Sequence, residues 1–380
     1  IPLAITHAAA YIKTRAPTIT ISDYLQLFRE SEANQVRLLG KKEWKDLRRD
    51  HSIRHAVITT WQISFTQIQK MERSAADLLA LMSMFDKQGI PKFLLQNDGN
   101  QLDFEDALAP LLSFSFVRAE TGKQSFEMHR LVQLSMRTWL KAEKELGKWM
   151  KESIRTLIAV FPSGDYETWA NCRLLFPHAR EAISYVTGSE DDLLNQAKIA
   201  FRTGWYLYLR GEYEAAKGVF CMSVEAREKV LGPEHPHTLT SVSNLGLVLE
   251  RQGKYKEAEA MHQRALEGHE KVLGLEHPDT LTSVNNLGWV LESQGKYEEA
   301  EAMHRRVLEG SEKILGPEHP DTLTSVYHLA FLFHRQQKYS AASKLYQRAH
   351  TGYIRALGVH HPTTIACFNH YKSIGEEIEH

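Results

Sequence analysis

Cysteine is scarce: there are three in 380 residues, Cys172, Cys221 and Cys367, odd in number and far apart. They define no disulfide framework and read as reduced thiols of a cytoplasmic protein. The sequence has no Asn-x-Ser/Thr acceptor, no signal-like leader and no apolar run of membrane length, so no membrane partner is expected. Charge of one sign is also lacking. The net charge is −1, which gives no basis for general attraction to nucleic acid or membrane. Catalytic signatures are missing too. There is no Gly-x-x-x-x-Gly-Lys-Ser/Thr phosphate cradle, no His-Glu-x-x-His and no Cys-x-x-Cys pair. The expectation is a non-enzyme with no metal and no cofactor of its own. A hydrophobic content of 43% with 24% charged residues describes an ordinary globular chain of two or three domains.

What is present is a repeat. Leu-Gly-x-Glu-His-Pro-Asp/His-Thr-Leu-Thr-Ser-Val begins at Leu231, Leu273 and Leu315, and a decayed copy begins at Leu357, giving a period of 42 residues without slippage. A fixed period of this size marks stacked units that bury their apolar faces against one another. Within 277–316, Pro278 suits a first helical turn, and Leu281, Val284, Leu287, Gly288 and Leu291 share one helical face. Gln294-Gly295-Lys296 breaks that helix, and a second runs from Tyr297 to Gly316. Helix pairs are expected at about 193–231, 237–273, 279–315 and 321–357, with a lone helix at about 363–378.

Some registers carry structural expectations. Gly204, Gly246, Gly288 and Ala330 recur together, as do Tyr213, Tyr255, Tyr297 and Tyr339. The glycines should let two helices approach, with the tyrosines filling the gap. His262 and His304 share a register with Phe220 and Tyr346 and read as partly buried fillers. Among the 19 histidines, His235, His277 and His319 each precede Pro and read as helix-start residues. Lying one repeat apart, they cannot converge on one metal.

These residues resemble the long tetratricopeptide repeat of kinesin light chains, in Leu287-Gly288, Leu291, Gly295, Tyr297, Ala300 and Val307 and in the Gly-x-Glu-His-Pro-Asp-Thr-Leu linker. The resemblance covers roughly 193–380 and implies a right-handed α-solenoid. It also implies a concave groove lined by two registers, Trp205, Leu247, Trp289, Phe331 and Phe201, Ser243, Asn285, Tyr327. The groove candidates for a protein or peptide partner are Phe201, Trp205, Leu247, Asn285, Trp289, Tyr327 and Phe331, since exposed aromatics are costly without a partner. The plain alternative is that they pack on neighbouring first helices.

Upstream, helices are expected from Ile1 through Ile12, from Ile21 with Ser22 as N-cap, and around Val57, Trp61 and Phe65. Residues 75–141 read as two helices, 75–85 and 104–112, with a turn at Gly89-Ile90-Pro91. Short strands at 114–119 and 125–128 and a final helix follow. That order describes a winged helix. Residues 142–192 read as a helical adaptor, broken after Phe161 and interrupted near Pro177.

A second resemblance appears here. Pro2-Leu3-Ala4 looks like the end of the Gly-Leu-Pro-Leu-Ala motif of NB-ARC ATPases. Met128-His129-Arg130 looks like their Met-His-Asp motif, with Arg130 in place of the Asp, whose role is therefore not carried over. Together the motifs resemble the C-terminal part of fungal NOD-like receptors of the STAND class, proteins of innate immunity and heterokaryon incompatibility. The implied domains are 1–55, the end of the NB-ARC helical subdomain and linker; 56–141, winged helix; 142–192, adaptor; 193–357, four repeats; and 358–380, capping helix. The chain begins at Ile1 in mid-motif, so a preceding segment is expected. By resemblance, Pro2 and His129 would touch ADP held with an upstream NB-ARC domain, ADP or ATP belonging to the full-length protein. Ligand capture would bias a closed against an open, oligomerising state. Against this, His129 could simply cap its helix. The alternatives are a kinesin-light-chain-like adaptor that uses no nucleotide, or a transcription regulator reading DNA with Arg130, Arg137 and Lys141. The thin basic stripe makes nucleic acid the weaker partner class.

Overall fold

The computed structural model describes residues 20–30, 65–96, 100–120, 122 and 124–378. Pro2 and the helices expected over 1–12 and at Val57 and Trp61 lie outside the described residues. Helix α1 (Ile21–Glu30) starts two residues earlier than Ser22 capping would allow. Thr20 is the cap. Its Oγ1 accepts from the Asp23 N–H at 3.2 Å while the Asp23 carboxylate accepts from the Thr20 N–H at 2.8 Å, a reciprocal capping box.

The chain divides into two compact units at Ile199–Ala200, within a single continuous helix. The first unit contains α2 (Arg73–Ser83), β1 (Ile90–Pro91), α3 (Lys92–Leu95), α4 (Gln101–Ser113), β2 (Val117–Ala119), β3 (Ser125–Met128) and α5 (Arg130–Ala142). β3 is central in an antiparallel sheet of order β1-β3-β2, with Ile90 opposite Phe126 and Val117 opposite Met128. Phe126 and Met128 alternate onto the core face with Leu79, Met82, Leu108 and Met136. The Gln133 amide of α5 ties the end of α2 down by donating to Ser83 O and to Phe85 O at 2.7 Å. The turn read at Gly89-Ile90-Pro91 is thus a third strand. Gly89 takes φ +63° just before it, and Pro91 sits on an edge strand, where a missing N–H is tolerated.

Helices α6 (Leu146–Val160) and α7 (Trp169–Ser184) follow. The break expected near Pro177 is not there; α7 runs through Pro177. His178 of α7 bonds Gly89 O through Nε2 at 3.2 Å and so packs this pair against the β1 turn.

The second unit is the solenoid. Helix α8 (Glu190–Leu209) carries the boundary and pairs in sequence with α9 (Tyr213–Leu231). The further pairs are α10 (Pro236–Arg251) with α11 (Tyr255–Leu273), α12 (Pro278–Ser293) with α13 (Tyr297–Leu315), and α14 (Pro320–Arg335) with α15 (Tyr339–Leu357). A lone α16 (Pro362–Ile378) follows. The linker sequence explains each corner. Gly232, Gly274, Gly316 and Gly358 take φ near +90°, a conformation open to Gly at little cost, and end the second helices. His235, His277, His319 and His361 are the N-caps of the next helices, each Nδ1 accepting an N–H two residues on at 3.1–3.3 Å. Pro then occupies N1, where no donor is needed.

Where two helices of a repeat approach most closely, Gly204, Gly246 and Gly288 face Phe220, His262 and His304; an added Cβ would stand 2.6–2.9 Å from those rings. The gap-filling role expected of Tyr213, Tyr255, Tyr297 and Tyr339 is therefore corrected. Those tyrosines open the second helices and stay partly exposed, Tyr255 at 39%. The true fillers are Phe220, His262, His304 and Tyr346, all fully buried, the last facing Ala330 across a repeat that has lost its glycine.

Candidate functional site

The first helices of the solenoid carry the groove candidates. Phe201, Trp205, Leu247, Asn285, Trp289, Tyr327 and Phe331 are all partly buried, neither core nor fully exposed. At the start of the stack, Phe201 lies edge-on to Phe220 at 5.8 Å and under the Arg227 guanidinium at 4.9 Å. Trp205 stacks on Tyr208 at 5.4 Å, and Arg251 Nε donates to the Tyr208 hydroxyl at 3.2 Å.

Further along, the rings form a connected ladder. Trp289 meets His304 and His328 edge to face at 5.6 and 4.9 Å and reaches Phe331 at 6.2 Å. Phe331 touches His370, which stacks on Tyr327 and bonds its hydroxyl at 2.6 Å through Nδ1. A polar ladder runs alongside, stepping 43 residues each time. Asn286 Nδ2 donates to Ser243 Oγ at 3.0 Å, and His328 Nδ1 bonds Asn285 Oδ1 at 3.3 Å. Asn285, Trp289, Tyr327 and Phe331 thus pack on the next first helix and also keep an open edge, whereas Phe201 and Trp205 contact rings of their own repeat.

The electrostatics beneath the ladder are those of a nearly dry wall. Glu292 is buried; its Oε1 accepts from Arg335 Nη1 at 2.9 Å and its Oε2 lies 3.8 Å from His304 Nε2. Burial pushes His328 down to about 4, helped by the neighbouring His304, and it pushes His262 down to about 4 as well. Both are neutral at ordinary pH. Glu250, one repeat before Glu292, is held above the usual carboxylate range, mainly by burial. His328, His370, Glu292 and Arg335 were not singled out in the sequence. The sequence does display His328 and His370 as a register one residue along from Tyr327 and its counterpart Asn369, whereas Glu292 and Arg335 carry no such mark. Among the described residues, no three His, Cys, Asp or Glu side chains are placed to hold a metal.

In the first unit, His129 is the N-cap of α5. Its Nδ1 accepts the Leu131 N–H at 3.1 Å, the same geometry as the four linker histidines. Its pKa is pulled below the ordinary imidazole value, first by desolvation. With Nδ1 accepting, the neutral ring carries its proton on Nε2. Pro2, the other residue matched to an ADP site, lies outside the described residues. Arg137, one of the three residues of the suggested basic stripe, is engaged internally: its Nε donates to Ser83 O at 2.7 Å and its Nη2 to Glu181 at 2.9 Å.

A family described as tetratricopeptide repeat matches residues 207–268, 238–313 and 290–355. Residues 207–355 are tetratricopeptide repeats. A second family, described as a domain of unknown function (DUF7779), matches residues 66–145, the unit built around the β1-β3-β2 sheet. A nucleotide-binding leucine-rich repeat (NLR)-like protein of Hyaloscypha variabilis is 35% identical over 245 residues, 64% of this chain. The chain spans about a quarter of that relative, 24% of its length. Among solved structures, the nearly identical TPR-like repeats of a putative kinesin light chain from Podosopora anserina are 24% identical. They cover 50% of this chain and 88% of theirs, with a TM-score of 0.43. A Signal Transduction ATPase with Numerous Domains (STAND) protein with a tetratricopeptide repeat sensor, from Pyrococcus horikoshii, is 13% identical. It covers 97% of this chain and 61% of its own, with a TM-score of 0.32. The chain is thus similar to an NLR-like protein, and its tetratricopeptide repeats form the C-terminal solenoid.

Proposed function

We propose that this chain is the regulatory, ligand-sensing part of a NOD-like receptor, in which the solenoid takes a protein or peptide partner along its first helices. The observation that carries this reading is the ladder of partly buried rings, Trp289, His328, Phe331, His370 and Tyr327, on repeats that match the tetratricopeptide family. Rings held by their neighbours lose little freedom when a partner covers their open edges, which favours binding over mere exposure. The similarity to an NLR-like protein supports placing this solenoid downstream of a nucleotide switch.

The helix–strand–helix–helix–hairpin order of the first unit supports the winged-helix reading, with His129 at the start of its last helix. In that reading His129 Nε2–H donates to a phosphate oxygen of ADP bound upstream, while Nδ1 stays committed to the cap. The alternative of DNA reading is weakened by charge. Helix α4, which precedes the hairpin, carries Asp103, Glu105 and Asp106 and no Lys or Arg, so phosphate is repelled from that face. The test is His129→Ala in the full-length protein. Loss of one donor to a charged phosphate costs roughly 1.5–3 kcal/mol, so ADP should leave about tenfold faster or more. An unchanged off-rate, with the melting temperature lowered only by the lost cap, would reject the latch.

A further inference from the structure

One register of the second helices closes the junction between successive repeats: Arg227, His269, Ser311 and Tyr353. Three of the four are large and buried, and each reaches a polar group on a first helix. Arg227, 7% exposed, donates from Nη1 to His237 O at 2.6 Å and to Ser241 Oγ at 2.8 Å. His269 bonds Ser283 Oγ at 2.9 Å and Pro236 O at 3.4 Å. The Tyr353 hydroxyl bonds Thr324 Oγ1 at 2.9 Å.

Ser311 is too short to do any of this, and at its junction a cleft of about 450 Å³ opens between α12, α13 and α14. Its walls include Leu281, Asn285, Val307, Ser311, Ser325 and His328. Ser325, the counterpart of Ser241 and Ser283, donates to Asp321 O at 3.1 Å, as Ser241 donates to His237 O at 3.3 Å beside Arg227. Asp321, on the exposed rim, is the one carboxylate among the lining residues, and no Lys or Arg lines the cleft. The backbone oxygens of Asp321 and Pro278 stand in the registers that Arg227 and His269 engage elsewhere. The site is therefore rich in acceptors, bears one negative charge, has apolar walls for a stem, and repeats a junction that this same chain fills with an arginine.

We propose that this cleft receives an arginine side chain of the protein partner, its guanidinium occupying the place that Arg227 fills two repeats earlier. The proposal rests on the partner-binding reading and gives that partner a chemistry, since Asn285 lines both the cleft and the groove. A guanidinium suits the cleft better than an ammonium because it is more weakly hydrated and so loses less on entering an apolar-walled site, and one guanidinium nitrogen of Arg227 already serves two acceptors at the equivalent junction.

The test is a methyl NMR titration of the whole chain with N-acetyl-arginine amide, N-acetyl-lysine amide and the acetylated, amidated tripeptide Gly-Arg-Gly. Saturable shifts are expected at the methyls of Leu281, Val307, Ile314 and Leu315, with the lysine compound roughly fivefold weaker or worse. The tripeptide should bind more tightly than the single residue; the reverse order would overturn a protein source for the guanidinium. Ser311→Arg should fill the cleft from within, abolish the response and raise the melting temperature. Should that variant not fold, Asp321→Asn on the exposed rim should weaken arginine binding roughly threefold. No saturable shift in the wild type, or an undiminished response in the folded variants, would overturn the proposal. Trp289→Ala should leave the arginine response in place, so a failure of the aromatic groove and a failure of the cleft are separately visible.

Discussion

At the scale of single residues, the solenoid depends on what faces each close helix approach. Tyr346 is fully buried opposite Ala330, whereas Tyr297 is only partly covered. Tyr346→Ala should therefore cost roughly 3–5 kcal/mol, the range for truncating a large core ring, and Tyr297→Ala clearly less. Chemical denaturation of the two variants checks the order. Gln337 stands where Gly211, Gly253 and Gly295 stand in the other repeats and takes φ +60°. Gln337→Gly should stabilise by roughly 1 kcal/mol, read as a higher melting temperature. His262 gives the clearest pH prediction. Its folded pKa is lowered to about 4 from an ordinary 6.5, so the unfolded chain binds the extra proton first on acidification. The stability from the neutral ring is present above pH 6.5 and is lost as pH falls toward 4. Between pH 7 and 5 the loss is roughly 2 kcal/mol. His262→Phe, which copies Phe220 opposite Gly204, should remove that part of the acid sensitivity; an unchanged pH profile of melting would contradict it.

At the scale of elements, much was legible because each linker repeats the same chemistry. Gly ends one helix, His caps the next and Pro occupies its first turn, so the pairs from Tyr213 to Leu357 could be drawn from residue types alone. What was not legible is equally physical. Strand Ile90–Pro91 is two residues long and carries a proline, so no alternation could mark it. Thr20 and Ser22 are both good cap residues two positions apart, and only the Asp23 carboxylate, bonded back to Thr20, decides between them. The aromatic registers 42 residues apart were visible. Their partners lie 43 residues apart, one register over on the adjacent helix, and only packing reveals that offset. The Ser311 cleft had a sequence signal, a small residue in a column of Arg, His and Tyr, but its meaning needed the contacts of the other three.

At the scale of the whole solenoid, ion pairs repeat with the fold. Glu228, Glu270 and Glu312 pair with Arg264, Arg306 and Arg348, and Glu234, Glu276 and Glu318 with Lys271, Lys313 and Arg355. Each is solvent-screened and contributes roughly 0–1 kcal/mol, so the ladder sets register between repeats more than it stabilises them. The stacking itself comes from apolar burial passed from repeat to repeat, which makes the solenoid a stiff support for a groove. The proposed coupling of this groove to a nucleotide switch is tested most directly on the full-length protein. Purified and then denatured, that protein should release close to one ADP or ATP per chain. A folded protein that releases none would contradict the switch and leave a solenoid that binds its partner without a nucleotide.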